Sequence, residues 1–354
     1  MNISNPIQAI VRAFVRRLPA LDAEQDSIKR QRWPGILLRV VLTGAVIGLL
    51  FWQIPWRGVV ASAAGMKAGF LLAAILLWIP NHAFQFFRWA LLVKGADKEE
   101  SWTDIFRSYW VGFTLGVITP GRVGQFARCF ALRMPLTRAV GASLLERFYA
   151  TVALNGAGPL ALVALILAGM FSPVGIWRIP LLAALSLVGA AVLFLGLYPR
   201  ILLPVLFWIV RKLPLREQLE RIVDVMRGLD ARRSLELTMF SLVSNTVASL
   251  QFVILLQAMG TTVPLGWGMA AVLANFFFKA NLPFSVAGLG IGEWTAVLCL
   301  VGLGVPPASA VAGSLVLFAI NVLSPALLGI PFLPGLRFRR VNLAPGCVPT
   351  AVRQ

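Results

Sequence analysis

Seven polar side chains stand inside strongly apolar sequence: Arg122, Gln125, Arg128, Glu146, Arg147, Asn281 and Glu293. Their types suit the binding of a charged or hydrogen-bonding group away from bulk water. A guanidinium is always charged and forks onto phosphate oxygens, so Arg122 and Arg128 are the leading candidate anion binders. The alternative is that both snorkel toward a charged surface. Glu146 and Arg147 enter their apolar run together. Adjacent helical residues do not face each other, so each needs a partner on another element, and Glu146 is expected to pair with Arg122 or Arg128. Such a pair either lines a binding cavity or is purely structural. Glu293 is the only acid in its neighbourhood; it would bind a cation, carry a proton or hold an arginine. Asn281 would cap a broken helix, and Lys279 would snorkel outward.

Elements with broken backbone must position these groups. Residues 116–128 carry the breakers Pro120, Gly121 and Gly124. Residues 279–293 carry Pro283, Gly288, Gly290 and Gly292. Broken backbone and ionisable groups survive at membrane depth only when buried in protein or lining a wet cavity. Each stretch therefore reads as a tight re-entrant turn. A helix starting after Gly124 would aim its amide groups at an anion. The spacing of Gly288, Gly290 and Gly292 resembles a dinucleotide-binding loop, but no strand precedes it, so no cofactor is expected.

The surroundings are a bilayer. The chain has 354 residues, 58% hydrophobic and 13% charged, with mean hydropathy +0.82; a soluble domain carries about 25% charged residues. Apolar runs of spanning length recur, whereas the short alternating segments of a barrel are absent. The fold class is therefore all-α, a polytopic membrane protein. A formal net charge of +18 would suggest nucleic acid in a soluble protein. Here the basic residues flank apolar runs, as in cytoplasmic loops facing anionic lipid. Cys129, Cys299 and Cys347 form no metal-binding or disulfide pattern, and His82 is the only histidine; no metal site and no enzymatic motif beyond isolated carboxylates follow.

Along the chain, residues 1–34 read as a basic N-terminal segment with an amphipathic cytoplasmic helix. A transmembrane domain covers 35–335, its halves 35–210 and 235–335 joined by a cytoplasmic helix at 211–234. Residues 336–354 form a cytoplasmic tail. Spans are expected at 35–54, 71–93, 140–169, 180–198, 235–259 and 308–333, six full crossings with two re-entrant hairpins between them, or up to eight if hairpin arms cross. Both termini fall inside by the distribution of Lys and Arg. The two broken motifs look related: Val123-Gly124-Gln125 matches Ile291-Gly292-Glu293, and residues 139–144 match 310–315. The first copy is surrounded by arginines, while the second has no basic residue between Lys279 and Arg337. Opposite placement in the membrane, an inverted repeat, explains that contrast.

Three motifs carry a family resemblance: residues 120–125 with Arg128, then Glu146-Arg147, then residues 282–285 with 288–293. They resemble the transmembrane domain of the lysylphosphatidylglycerol synthase family, flippase-like integral membrane proteins. The resemblance implies a bacterial inner-membrane protein that translocates, or assists in handling, lipids with polar headgroups; Arg122 and Arg128 add the expectation that the headgroup is anionic, on a phospholipid, a polyprenyl lipid or a glycolipid. An alternative reading is a non-catalytic accessory subunit of a lipid or glycolipid biosynthetic pathway that binds lipid and recruits an enzyme through the 211–233 helix. An intramembrane transferase is a third and weaker reading. With the last span ending so near residue 354, the soluble aminoacyltransferase domain of two-domain relatives is not expected. Gln125 stands where the family often has Glu, and Ala150 and Thr151 where relatives often carry Asp; ion coupling through those positions is not expected.

Overall fold

The computed structural model describes residues 48, 56–170, 177–210, 229–282 and 290–336, without the side chains of 118, 120–123, 206, 209, 210 and 335. The expected N-terminal segment, the 35–54 span, most of the 211–234 helix and nearly all of the tail lie outside the described residues. So do Pro283, Gly288 and the side chain of Arg122. The described chain is helical, with no strand among its residues. Five helices are long and apolar enough to cross a membrane: Ala68–Ala96, Leu136–Leu167, Arg178–Leu197, Ala231–Ala258 and Pro307–Pro334. They coincide with five of the six expected spans.

In chain order, α1 is Trp56–Ala64, α2 is Ala68–Ala96 and α3 is Trp102–Ile118. The 3-10 segment Pro120–Ala131 follows, then α4 (Leu136–Leu167) and α5 (Arg178–Leu197). After the short α6 (Leu203–Val210) come α7 (Ala231–Ala258), α8 (Leu265–Asn281), α9 (Ile291–Leu303) and α10 (Pro307–Pro334).

Local chemistry sets the boundaries. Ser101 caps α3 by accepting from the Thr103 amide at 3.3 Å, and Asp230 caps α7 by accepting from the Arg233 amide at 2.9 Å. α3 stops at Thr119-Pro120, because proline disfavours helical backbone in the residue before it. The segment beyond Pro120 folds straight back along α3. The Thr119 hydroxyl accepts from the Gly124 amide at 2.6 Å, and a side chain at Gly124 would overlap the Leu115 carbonyl. The helix expected to start after Gly124 thus starts earlier, at Pro120, and is 3-10; Gly121 and Gly124 lie within it. The second break ends at Gly290, whose φ of +84° only glycine adopts easily. Gly292 is not a breaker. It lies in the first turn of α9, where a Cβ would stand 2.6 Å from the Lys279 Nζ.

The same packing scheme occurs twice. α3 and its 3-10 segment form one hairpin; α8 and α9 form the other. The helix preceding each hairpin, α2 or α7, packs on the long helix following it, α4 or α10, and α2 and α7 pack on each other. Each hairpin's first arm crosses to the opposite repeat: α3 packs on the end of α10, and α8 packs on α4. Likewise α1 packs on α10 as α5 packs on α4.

The hairpins open toward opposite ends of the bundle. At one end the Glu100 carboxylate accepts from the Arg133 and Met134 amides, and Gly95 approaches Arg233. At the other end the Lys67 amide donates to Ala258 and Gly302 abuts Met170. Two apolar cores form, one at the first hairpin around Trp89, Tyr109, Leu145 and Tyr149 and joined by Leu237 of α7, the other at the second hairpin around Phe252, Leu255, Ala274 and Leu300 and joined by Leu162 and Leu165 of α4.

Candidate functional site

Glu146 anchors the first core. Its Oε1 accepts from Arg88 Nη2 at 2.5 Å and its Oε2 from Arg128 Nη2 at 2.8 Å. Three elements supply the three residues: α4, α2 and the 3-10 segment. Arg88 also donates to Ser241 Oγ on α7 at 2.9 Å. Arg128 donates to Ser143 Oγ through Nε and Nη2, at 3.1 and 2.9 Å, and its guanidinium lies 3.9 Å from the Trp89 ring centroid. Trp89 in turn donates to Ser108 Oγ. Both arginines are almost fully buried, at 4% and 5% exposure. Two guanidinium groups share one carboxylate, so the centre carries an excess positive charge. In a low-dielectric interior such a charge attracts an anion strongly.

Arg147 turns to a different side of α4. Its Nη2 donates to Gln125 Oε1 at 3.1 Å, and its guanidinium lies 5.1 Å from the Phe126 ring. Gln125 and Arg147 are thus brought together beside the ion cluster. The expected pairing of Glu146 with Arg128 is present. Arg122 starts on the same 3-10 segment, but its side chain is outside the described residues.

The second hairpin builds a separate centre. Glu293 Oε2 accepts from the Gly290 amide at 2.6 Å, and its Oε1 accepts from Ser314 Oγ at 3.0 Å. The carboxylate therefore caps its own helix and ties it to α10. Ser314 stands in the second repeat where Ser143 stands in the first. In both, a buried serine on the long helix holds the charged residue of the preceding short one. No described hydrogen bond joins the Glu293 and Glu146 centres. Asn281 closes α8 as expected, donating to the Phe277 carbonyl at 2.8 Å, and it donates across to Asn155 Oδ1 on α4 at 2.6 Å. Lys279 does not snorkel away; it lies along the surface of α9 at Gly292.

Three groups escaped the sequence reading. Arg88 was visible only as a lone charge in an apolar span, and its need for a countercharge was the available signal. Ser143 and Ser241 carry no such signal. A carboxamide chain also crosses the repeats: Gln85 donates to Asn81, Asn81 to Asn321, Asn321 to Gln251, and Gln251 to the Ala74 carbonyl. The π-helical turn Ala319–Leu323 carries Asn321. His82 is a hydrogen bonder, with Nδ1 2.9 Å from the Tyr109 hydroxyl. No group of three or more His, Cys, Asp or Glu among the described residues could hold a metal. An open recess of about 610 Å³, lined by Lys67, Gln257, Thr261 and neighbours, touches none of the ion-cluster residues.

Residues 36–329 match the family model described as "Lysylphosphatidylglycerol synthase TM region". No curated protein matches the chain.

Proposed function

Because the chain belongs to the lysylphosphatidylglycerol synthase transmembrane-region family, a multi-pass membrane family related to lipid metabolism, we propose that it binds an anionic lipid headgroup beside Arg88, Arg128 and Arg147 and carries it across the bilayer. The single observation behind this reading is the charge imbalance at Glu146: one carboxylate between two buried guanidinium groups. An anion entering the site completes the neutralisation, and the lipid tails remain in the bilayer. Movement follows from rocking of the two oppositely oriented repeats about the α2–α7 contact.

The described charges support an orientation in a bacterial inner membrane. Lys94, Lys98, Arg133, Arg200, Arg232 and Arg233 gather at the end where the first hairpin opens; this end is the cytoplasmic one under the positive-inside rule. The chain is a transporter-like protein without a catalytic role.

The test is a reconstituted vesicle assay with tail-labelled phosphatidylglycerol. The protein should equilibrate the label between leaflets, and Arg128→Gln should slow this at least ~10-fold, the loss of one charge-assisted contact of ~1.5–3 kcal/mol. Equal rates in protein-free vesicles and in vesicles with the intact protein would end the transport reading.

A further inference from the structure

Arg147, Thr151 and Asn155 follow at four-residue intervals on α4 and so share one face of it. Their depth can be bounded. α4 has 32 residues, about 48 Å of helix at 1.5 Å per residue, against a hydrocarbon core of ~30 Å. Any stretch of α4 long enough to fill that core includes residues 148–155, whatever the placement along the membrane normal. Thr151 and Asn155 therefore sit within the hydrocarbon zone, with Arg147 at its edge or inside it.

Among the described residues, none closes over this face. Thr151 and Asn281 are exposed, and Arg147 and Asn155 are half-buried. Asn281 extends the stripe onto the second hairpin through its 2.6 Å bond to Asn155. At its other end Arg147 meets Gln125 on the first hairpin. The stripe thus runs from one broken element to the other. Asn155 also donates to the Thr151 carbonyl at 3.0 Å, and Asn281 to the Phe277 carbonyl. These bonds satisfy part of the amides; acyl chains cannot hydrogen-bond the Thr151 hydroxyl or the Asn281 carbonyl oxygen, so at this depth those exposed groups need water or a polar group against them.

We propose that this stripe is the track of the headgroup, and that it selects anionic headgroups bearing free hydroxyls. This rests on the lipid-binding reading above and adds the route and the substrate class. The phosphate is held at the Arg147 end. Thr151, Asn155 and Asn281 both donate and accept hydrogen bonds, which suits glycerol or sugar hydroxyls and gives a choline headgroup nothing to bond. A site built to hydrogen-bond a hydroxyl rejects the analogue lacking it.

Single cysteines placed by Thr151→Cys, Asn155→Cys and, as a half-buried apolar control inside the 148–155 stretch of the same helix, Leu154→Cys provide the test. The reactive background is removed with Cys347→Ser; Cys129 and Cys299 are buried. A thiol reacts as thiolate, which needs water. In vesicles of phosphatidylcholine, a water-soluble thiol reagent should label Thr151→Cys and Asn155→Cys at least ~10-fold faster than Leu154→Cys. Adding phosphatidylglycerol should slow both at least threefold; adding phosphatidic acid, which lacks the hydroxyls, should not. Labelling at Thr151→Cys no faster than at Leu154→Cys overturns the wet track. Equal protection by phosphatidic acid overturns the hydroxyl selectivity. Labelling needs no lipid movement, so a protein that moves no lipid yet shows the expected pattern would sink the transport reading while leaving the track in place.

Discussion

At the scale of single residues, Glu146 is where stability and recognition conflict. Removing the carboxylate leaves two buried guanidinium groups without a countercharge, and breaking a buried ion pair this way costs about 3–5 kcal/mol. Glu146→Gln is accordingly expected to lower the thermal unfolding midpoint in detergent by several degrees, and an unchanged midpoint would show that the triad is not under electrostatic tension. The triple exchange Arg88→Met, Glu146→Leu, Arg128→Met separates the two roles. Apolar replacement of a whole buried ionic triad is often neutral or stabilising. The triple variant should thus remain folded while losing retained anionic lipid, as read by native mass spectrometry; full lipid retention would move the binding site elsewhere. Gln251 sets a similar test for the carboxamide chain. Gln251→Leu strands the Ala74 carbonyl and the Asn321 amide, an expected loss of about 1–3 kcal/mol for each unsatisfied group, measurable by the same unfolding.

At the scale of elements, the first hairpin depends on a close backbone approach at Gly124. Gly124→Ala would drive a methyl into the Leu115 carbonyl, and overpacking of this kind costs ~1–3 kcal/mol. The variant should open the hairpin, seen as increased amide hydrogen exchange over residues 116–131 with little change over 265–303. Much of this level was legible in the sequence. Proline and glycine clusters located both breaks, and spans of apolar residues located the long helices. The breaks were placed less well where local signals compete. Pro120 begins a new turn rather than only ending one, since its missing amide is an orphan at a helix start anyway. Gly292 was grouped with the breakers because glycine serves both freedom and space, and only the position of Lys279 tells the two apart. Glu293 is expected from the sequence to bind a cation, carry a proton or hold an arginine; its described partners are a backbone amide three residues back and a serine on another helix. The pairing of Glu146 with Arg128 followed from charge alone, whereas Arg88 joined them through a contact between distant helices that no periodicity encodes.

At the scale of the whole molecule, the repeated motifs extend to a repeated packing scheme, which short sequence matches only hinted at. α1 reaches across to α10, where an ideal Cβ on Gly58 would lie 3.4 Å from the Ala308 Cβ. That separation is close to the ~3.5–4.5 Å of disulfide-bonded cysteines. Gly58→Cys with Ala308→Cys should therefore form a bridge under mild oxidation. If the repeats rock against each other, the bridged protein should stop moving lipid and a reductant should restore it; undiminished transport by the fully bridged protein would exclude rocking at this contact.

The crossing of α3 onto the far end of α10 has a bearing on biogenesis. The Thr114 hydroxyl donates to the Ala326 carbonyl at 2.7 Å, and Gly329 sits against the Trp110 backbone. A ribosome making this chain emits the first hairpin roughly two hundred residues before its seat exists. Until the last helix has entered the membrane, that hairpin lacks the Thr114–Ala326 bond and the close seat at Gly329. Translation and maturation are thus uncoupled, and chains interrupted before the final helix should be cleared by proteases as orphans, however well their early helices have inserted.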